Sequence, residues 1–187
     1  TCSLRRKSQI AAKYPALELI DLRGNVNTRL GRLDNGDFDA IILAAAGLMR
    51  LEFNHRIAAF IEPEEMLPAV GQGAVGIECR VGDALVEAAI APLHHADTAS
   101  RVWAERAANE KLGGGCHVPV AAHAILEGDE LSLRALVASV DGKTVLQCEY
   151  RAPRAEGRAL GERAAHTLIE QGADGILKAV YQDLGGD

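Results

Sequence analysis

The residues best equipped for chemistry are one cysteine and a set of arginines. Cys116 closes the run Leu112-Gly113-Gly114-Gly115 and is followed by His117-Val118-Pro119. Glycine has no Cβ, so such a run bends freely and lets a bulky group approach the backbone. Pro119 then pushes Val118 toward an extended conformation. A thiol on a pliable loop suits covalent attachment of a large group; the alternative is a glycine helix cap followed by an inert packing cysteine. Arg5 and Arg6 follow Ser3, a good N-cap, and so fall at the positive end of a helix. Cations are misplaced there unless an anion sits against the free N–H groups. Arg23 stands at the end of a predicted strand and Arg29 about one turn into the next helix. Together these guanidiniums can converge on one carboxylate- or phosphate-rich small ligand. The alternative is a solvated basic surface.

The elements that must hold these residues read as α/β. Leu17–Leu22 and Phe38–Leu43 are predicted strands around a helix capped by Asn25 and ended by Asn35-Gly36. That is a βαβ unit with ligands expected beyond the strand C-termini. Gly71-Gln72-Gly73-Ala74-Val75-Gly76 matches GxGxxG, but Pro68 precedes it and a predicted strand, Ile77–Val81, follows. A dinucleotide site needs the reverse order, so these glycines read as a hinge. Asp97 is expected to cap a helix that Gly113 ends. After Pro119, three alternating stretches (Val120–Leu126, Leu131–Val140, Thr144–Tyr150) with turns at Gly128-Asp129 and Asp141-Gly142 predict an antiparallel meander. Helices over about 155–170 and 173–184 would cover one face. The expected fold is thus an incomplete βαβ lobe followed by a small α+β domain with a three-stranded antiparallel sheet.

Composition narrows the possible functions. The 187-residue chain is 48% hydrophobic, enough for a sizeable core, and carries a net charge of −6 with 4% aromatics. That balance argues against nucleic acid or an acidic membrane surface as partner. No apolar run reaches the roughly 18 residues of a membrane span, and no signal peptide is visible. The four cysteines are far apart without a CxxC pair, and the six histidines show no ligand spacing. No metal is therefore expected, and a reducing cytoplasm is the default.

Longer motifs carry a family resemblance. Ser3–Arg6 (SLRR), Leu22–Leu30 (LRGNVNTRL), Leu33–Leu48 (LDNGDFDAIILAAAGL), Leu67–Arg80 (LPAVGQGAVGIECR) and the GGGC loop, in this order, resemble the porphobilinogen deaminase, or hydroxymethylbilane synthase, family. The resemblance implies a transferase of haem biosynthesis that joins four porphobilinogen molecules head to tail, with loss of ammonia, to give hydroxymethylbilane. It implies a dipyrromethane cofactor in thioether linkage, by motif position to Cys116. Ser3, Arg5, Arg6, Arg23 and Arg29 match cofactor-binding positions; Arg23, Arg29, Arg50 and Gln72 match positions that bind porphobilinogen and the growing oligopyrrole. It further implies that residues 1–70 form most of a second, periplasmic-binding-like domain, that 71–92 are a hinge and a segment returning to the first domain, and that 93–187 form the C-terminal domain. In relatives the catalytic aspartate lies in an N-terminal domain ahead of SLRR. The chain is accordingly expected to be a C-terminal portion, inactive and destabilised alone, whose partner is that domain in a monomeric enzyme. The competing reading is a non-catalytic lobe that binds a small carboxylate or phosphate.

Overall fold

The computed structural model describes residues 1–115 and 117–184. Helices α1 (Leu4–Lys13), α2 (Val26–Asp34), α3 (Ala45–Arg50) and α4 (Ala84–Ile90) punctuate the first half. Asn25 caps α2 by accepting from the Thr28 N–H at 2.8 Å, and Asp83 caps α4 by accepting from the Val86 N–H at 3.3 Å. Gly36, at φ +79°, turns the chain out of α2.

The expected βαβ sheet is not formed among the described residues. Leu17–Leu22, Phe38–Leu43 and Ile77–Val81 lie outside any ladder, and the one sheet present is the C-terminal one. A strand is defined by a neighbour that takes up its N–H and C=O groups, and among the described residues no sheet ladder does so for these three. Leu17, Ile20, Ile77 and Val81 are exposed, whereas Leu19, Phe38, Ile41, Ile42 and Leu43 are half-buried and Leu22 is buried. Two of the segments instead flank the start of α1. Arg6 Nη1 donates to the Ile42 carbonyl at 3.0 Å, and the Thr1 ammonium donates to the Ile20 carbonyl at 3.1 Å.

The second half folds as expected. It comprises α5 (Ala96–Lys111), β1 (Val120–Glu127), β2 (Glu130–Ala138), β3 (Val145–Pro153), α6 (Gly157–Glu170) and α7 (Ala173–Leu184). The strands form an antiparallel sheet in the order β1-β2-β3. Gly128, at φ +61°, opens the two-residue turn between Glu127 and Glu130. The helix cap differs from expectation. His95 occupies the N-cap of α5 and accepts from the Thr98 N–H, while Asp97 sits in the first turn and pairs with Arg154 at 2.7 Å. An acid in the first turn is favourable without being the cap.

Register explains the core. Ala124, Leu133 and Tyr150 stand in line across the sheet, as do Ala122, Ala135 and Cys148. This face packs on Ala104, Ala108, Leu160, Ala164, Leu168, Leu177 and Val180 of the helices. Burying each of the leucines contributes about 1.5–3 kcal/mol. The opposite face carries a smaller cluster of Ala121, Leu136 and Ala138 under Leu67. The β2–β3 turn also abuts α1, for a Cβ on Gly142 would strike the backbone of Ser8, Ala11 and Ala12.

Helices α5 and α6 cross at small residues. A Cβ on Gly161 would collide with the Ala104 carbonyl and the Ala107 methyl. Backbone cannot yield as a flexible side chain can. Gly161→Ala should therefore cost about 1–3 kcal/mol, read as a lower urea midpoint with an unchanged m-value.

Candidate functional site

The site is built around the first turn of α1. Ser3 stands at the N-cap in extended conformation; its carbonyl accepts from the Arg6 and Lys7 N–H groups, but its hydroxyl makes no capping bond. No acidic residue lies in that turn. The positive end of the helix therefore carries two arginines and no compensating acid.

Those two arginines differ. Arg5 is 6% exposed and donates to the Leu67 carbonyl at 2.7 Å and to Gln72 Oε1 at 3.3 Å. Burial, and then the Arg6 charge, push its pKa down to about 10. Gln9, one turn on, pairs its side-chain amide with the backbone of Leu67: Nε2 donates to the carbonyl at 3.1 Å and Oε1 accepts the N–H at 2.8 Å. Arg5, Gln9 and Gln72 thus fasten α1 to the 67–72 loop. The sequence placed Arg5 and Gln72 at a ligand; the structure brings them together as a tether.

Arg6 and Arg29 converge separately. Arg6 is half-buried, and its pKa is lowered first by burial and next by the charge of Arg29. Arg29 donates through Nε to the Gly24 carbonyl at 2.7 Å. Neither has a carboxylate partner among the described residues. Two neighbouring guanidiniums held by backbone carbonyls without a counter-ion have the charge and the donors that suit an anion. Arg23 lies at the rim, 83% exposed and 4.0 Å from Asp21, whose carboxylate also pairs with Lys7. Arg50 ends α3, exposed, where a cation suits the helix dipole. No described contact joins it to the others.

The glycine run is ordered by helix-end chemistry. Gly113, at φ +63°, donates to the Glu110 carbonyl at 3.0 Å, and the Gly114 N–H donates to the Asn109 carbonyl at 2.8 Å. This is the Schellman arrangement. Cys116 itself lies outside the described residues.

One residue escaped sequence reasoning. Glu105, on α5, is 5% exposed and accepts from the Gly71 N–H at 2.6 Å and the Ala124 N–H at 2.8 Å. It joins the glycine-rich 71–76 segment to the C-terminal sheet. His123 Nδ1 lies 3.8 Å from it, but burial and the charges of Arg134 and Arg101 lower the His123 pKa, so the contact is not an ion pair at neutral pH. The only sequence signal was position: Glu105 sits among Ala104, Ala107 and Ala108 on the buried face.

Guanidiniums gathered near a helix N-terminus without a carboxylate partner are an arrangement by which proteins commonly hold carboxylates or phosphates. Residues 1–88 match the family model described as porphobilinogen deaminase, dipyromethane cofactor binding domain, and residues 99–170 match that of the porphobilinogen deaminase C-terminal domain. The chain belongs to the porphobilinogen deaminase family, the hydroxymethylbilane synthases of tetrapyrrole biosynthesis, and it carries the family's dipyrromethane-binding domain. Among the described residues no cluster of ligands could hold a metal, and no helix is long and apolar enough to cross a membrane.

Two outcomes follow. Arg5→Ala should cost about 3 kcal/mol, because it leaves the buried Leu67 carbonyl short of a charged donor. Arg23→Ala should stay within about 0.5 kcal/mol; chemical denaturation separates the two. For Glu105, burial raises the pKa above the ordinary 4.5, against the two N–H bonds and the Arg101 charge. Between 4.5 and that raised value the folded state holds a proton that the unfolded chain has released. Stability should therefore fall as pH rises through this window and level off above it. Glu105→Gln should abolish that slope and cost about 1–3 kcal/mol at neutral pH, since its NH2 cannot accept the second N–H.

Proposed function

We propose that this chain is the C-terminal portion of a hydroxymethylbilane synthase that polymerises four porphobilinogen molecules with loss of ammonia. The observation that carries the reading is the Arg6–Arg29 pair, which lacks a carboxylate among the described residues. That pair fits a group bearing acetate and propionate side chains, as a dipyrromethane does. Bound through a thioether to Cys116, the cofactor supplies the free pyrrole α-carbon from which the chain grows. Arg6 and Arg29 hold carboxylates, with the Ser3 hydroxyl and the first-turn N–H groups of α1 beside them. Arg23 and Arg50, being exposed, meet carboxylates added later, as the oligopyrrole lengthens. Arg5 and Gln72 act from behind by fixing α1 on the 67–72 loop.

The catalytic aspartate belongs to polypeptide outside this chain. The extended segments 17–22, 38–43 and 77–81 become strands when that polypeptide lies alongside them. Residues 1–70 then complete a periplasmic-binding-like domain, 71–92 cross the hinge and rejoin the first domain, and 93–187 stand as the third. The exposed Val75, Ile77, Val81 and Leu85 support this division, because a soluble surface rarely leaves so much apolar area uncovered. The whole enzyme is monomeric. A cytoplasmic setting accords with Cys2, Cys79 and Cys148, all free thiols.

Intact mass with peptide mapping tests the assignment. A two-pyrrole increment on the Cys116 peptide is expected. An unmodified Cys116, together with retained affinity for simple dicarboxylates, would favour the non-catalytic lobe. Arg6→Gln and Arg29→Gln should each slow turnover by at least about tenfold, while Arg23→Gln should raise the porphobilinogen concentration needed for half-saturation. Equal, small effects at all three positions would sink the division of roles.

A further inference from the structure

The Schellman end of α5 satisfies the carbonyls of Asn109 and Glu110 but gives no helical partner to those of Gly113 and Gly114. Side chains take both. Tyr181 Oη donates to the Gly113 carbonyl at 2.5 Å, and Asn109 Nδ2 donates to the Gly114 carbonyl at 3.3 Å. Asn109 therefore holds Gly114 by both backbone groups, through its own carbonyl on one side and its side-chain amide on the other. A Cβ on Gly114 would strike the Asn109 amide, so a larger residue there would push that side chain off its bond to the loop. Tyr181 reaches the loop from α7, 68 residues further along the chain. Its neighbours Leu177 and Val180 are buried in the core, so the phenol is aimed from a fixed element. The ring itself is 47% exposed; its hydroxyl makes the described contact with the loop.

We propose that Tyr181 and Asn109 are positioning residues for cofactor attachment, holding the loop carbonyls three and two residues ahead of Cys116. The inference rests on the reading of Cys116 as the attachment site. Three glycines have the most backbone freedom to lose on ordering. A thiol presented from them meets its target in few of the accessible conformations. Pinning two successive carbonyls reduces that freedom before the C–S bond forms, and proximity of this kind acts on rate rather than on substrate affinity. Neither residue touches the reacting atoms in this scheme; both act through the backbone.

The test uses the whole enzyme produced without porphobilinogen, in wild-type form and as Tyr181→Phe and Asn109→Ala. Porphobilinogen-dependent mass gain at the Cys116 peptide is followed against porphobilinogen concentration, alongside thermal melting and the rate of Cys116 alkylation by iodoacetamide. Tyr181→Phe keeps the ring and loses the bond. It should melt like wild type, keep the same half-saturating porphobilinogen concentration, show an altered alkylation rate, and lose about fivefold in maximal attachment rate. Asn109→Ala should behave alike. An unchanged maximal rate, or a loss explained by a lowered melting temperature, overturns the proposal. If wild type gains no mass at Cys116, the attachment reading fails, and positioning for attachment fails with it. Alkylation then reports on the anchor alone: an unchanged rate in both variants dismisses that as well.

Discussion

The pairing of the Gln9 side-chain amide with the backbone of Leu67 is the contact on which the first half of the molecule depends. An amide side chain here does what a neighbouring strand does in a sheet: it gives one donor and one acceptor to a single extended residue. Arg5 adds a charged donor to the same carbonyl. Through these bonds α1 is fixed on the loop that leads into the glycine-rich 71–76 segment. The Arg6 and Arg29 pair owes its position to that fixing, since Arg6 follows Arg5 on the same turn. Leu67 in turn packs on Leu136 and Ala121 of the C-terminal sheet. The start of α1, with Arg6, is thus referenced to the best-packed part of the molecule through one short loop.

Legibility differed sharply between the two halves, for a physical reason. The meander and its covering helices could be read because their determinants are local: alternation in Leu131, Leu133 and Ala135, the glycine turns, and contacts between elements adjacent in sequence. Phe38–Leu43 has the same apolar character, but whether it is a strand depends on a partner that its own sequence does not encode. At the site, side-chain type foretold converging guanidiniums, and the charge of Arg29 does bear on Arg6. Depth was not legible. Nothing in the pair Arg5-Arg6 says that one guanidinium turns inward to a carbonyl while its neighbour stays open. The α5 cap was misplaced by two residues because His95 can accept from an N–H through a ring nitrogen, a role more often given to Asp. Nothing in its residue type marks Glu105 as turned inward rather than toward solvent.

Glu105 acts on the glycine-rich segment that begins at Gly71. Glycine lets the chain at Gly71 (φ +65°) adopt a left-handed turn, which would by itself make the segment pliant. The carboxylate bond to the Gly71 N–H opposes that freedom with a charge-assisted hydrogen bond in a dry setting. The glycine-rich segment is therefore flexible by composition and restrained by contact, and the restraint comes from α5.

The Tyr181–Gly113 bond also has a bearing on synthesis. A ribosome makes Gly113 a full 68 residues before Tyr181. On a nascent chain the glycine run is therefore made without its remote anchor, which arrives only when α7 docks. Part of what restrains this helix end is thus encoded far downstream of it, and a chain cut short before α7 would keep the Asn109 contact but lose the tyrosine one.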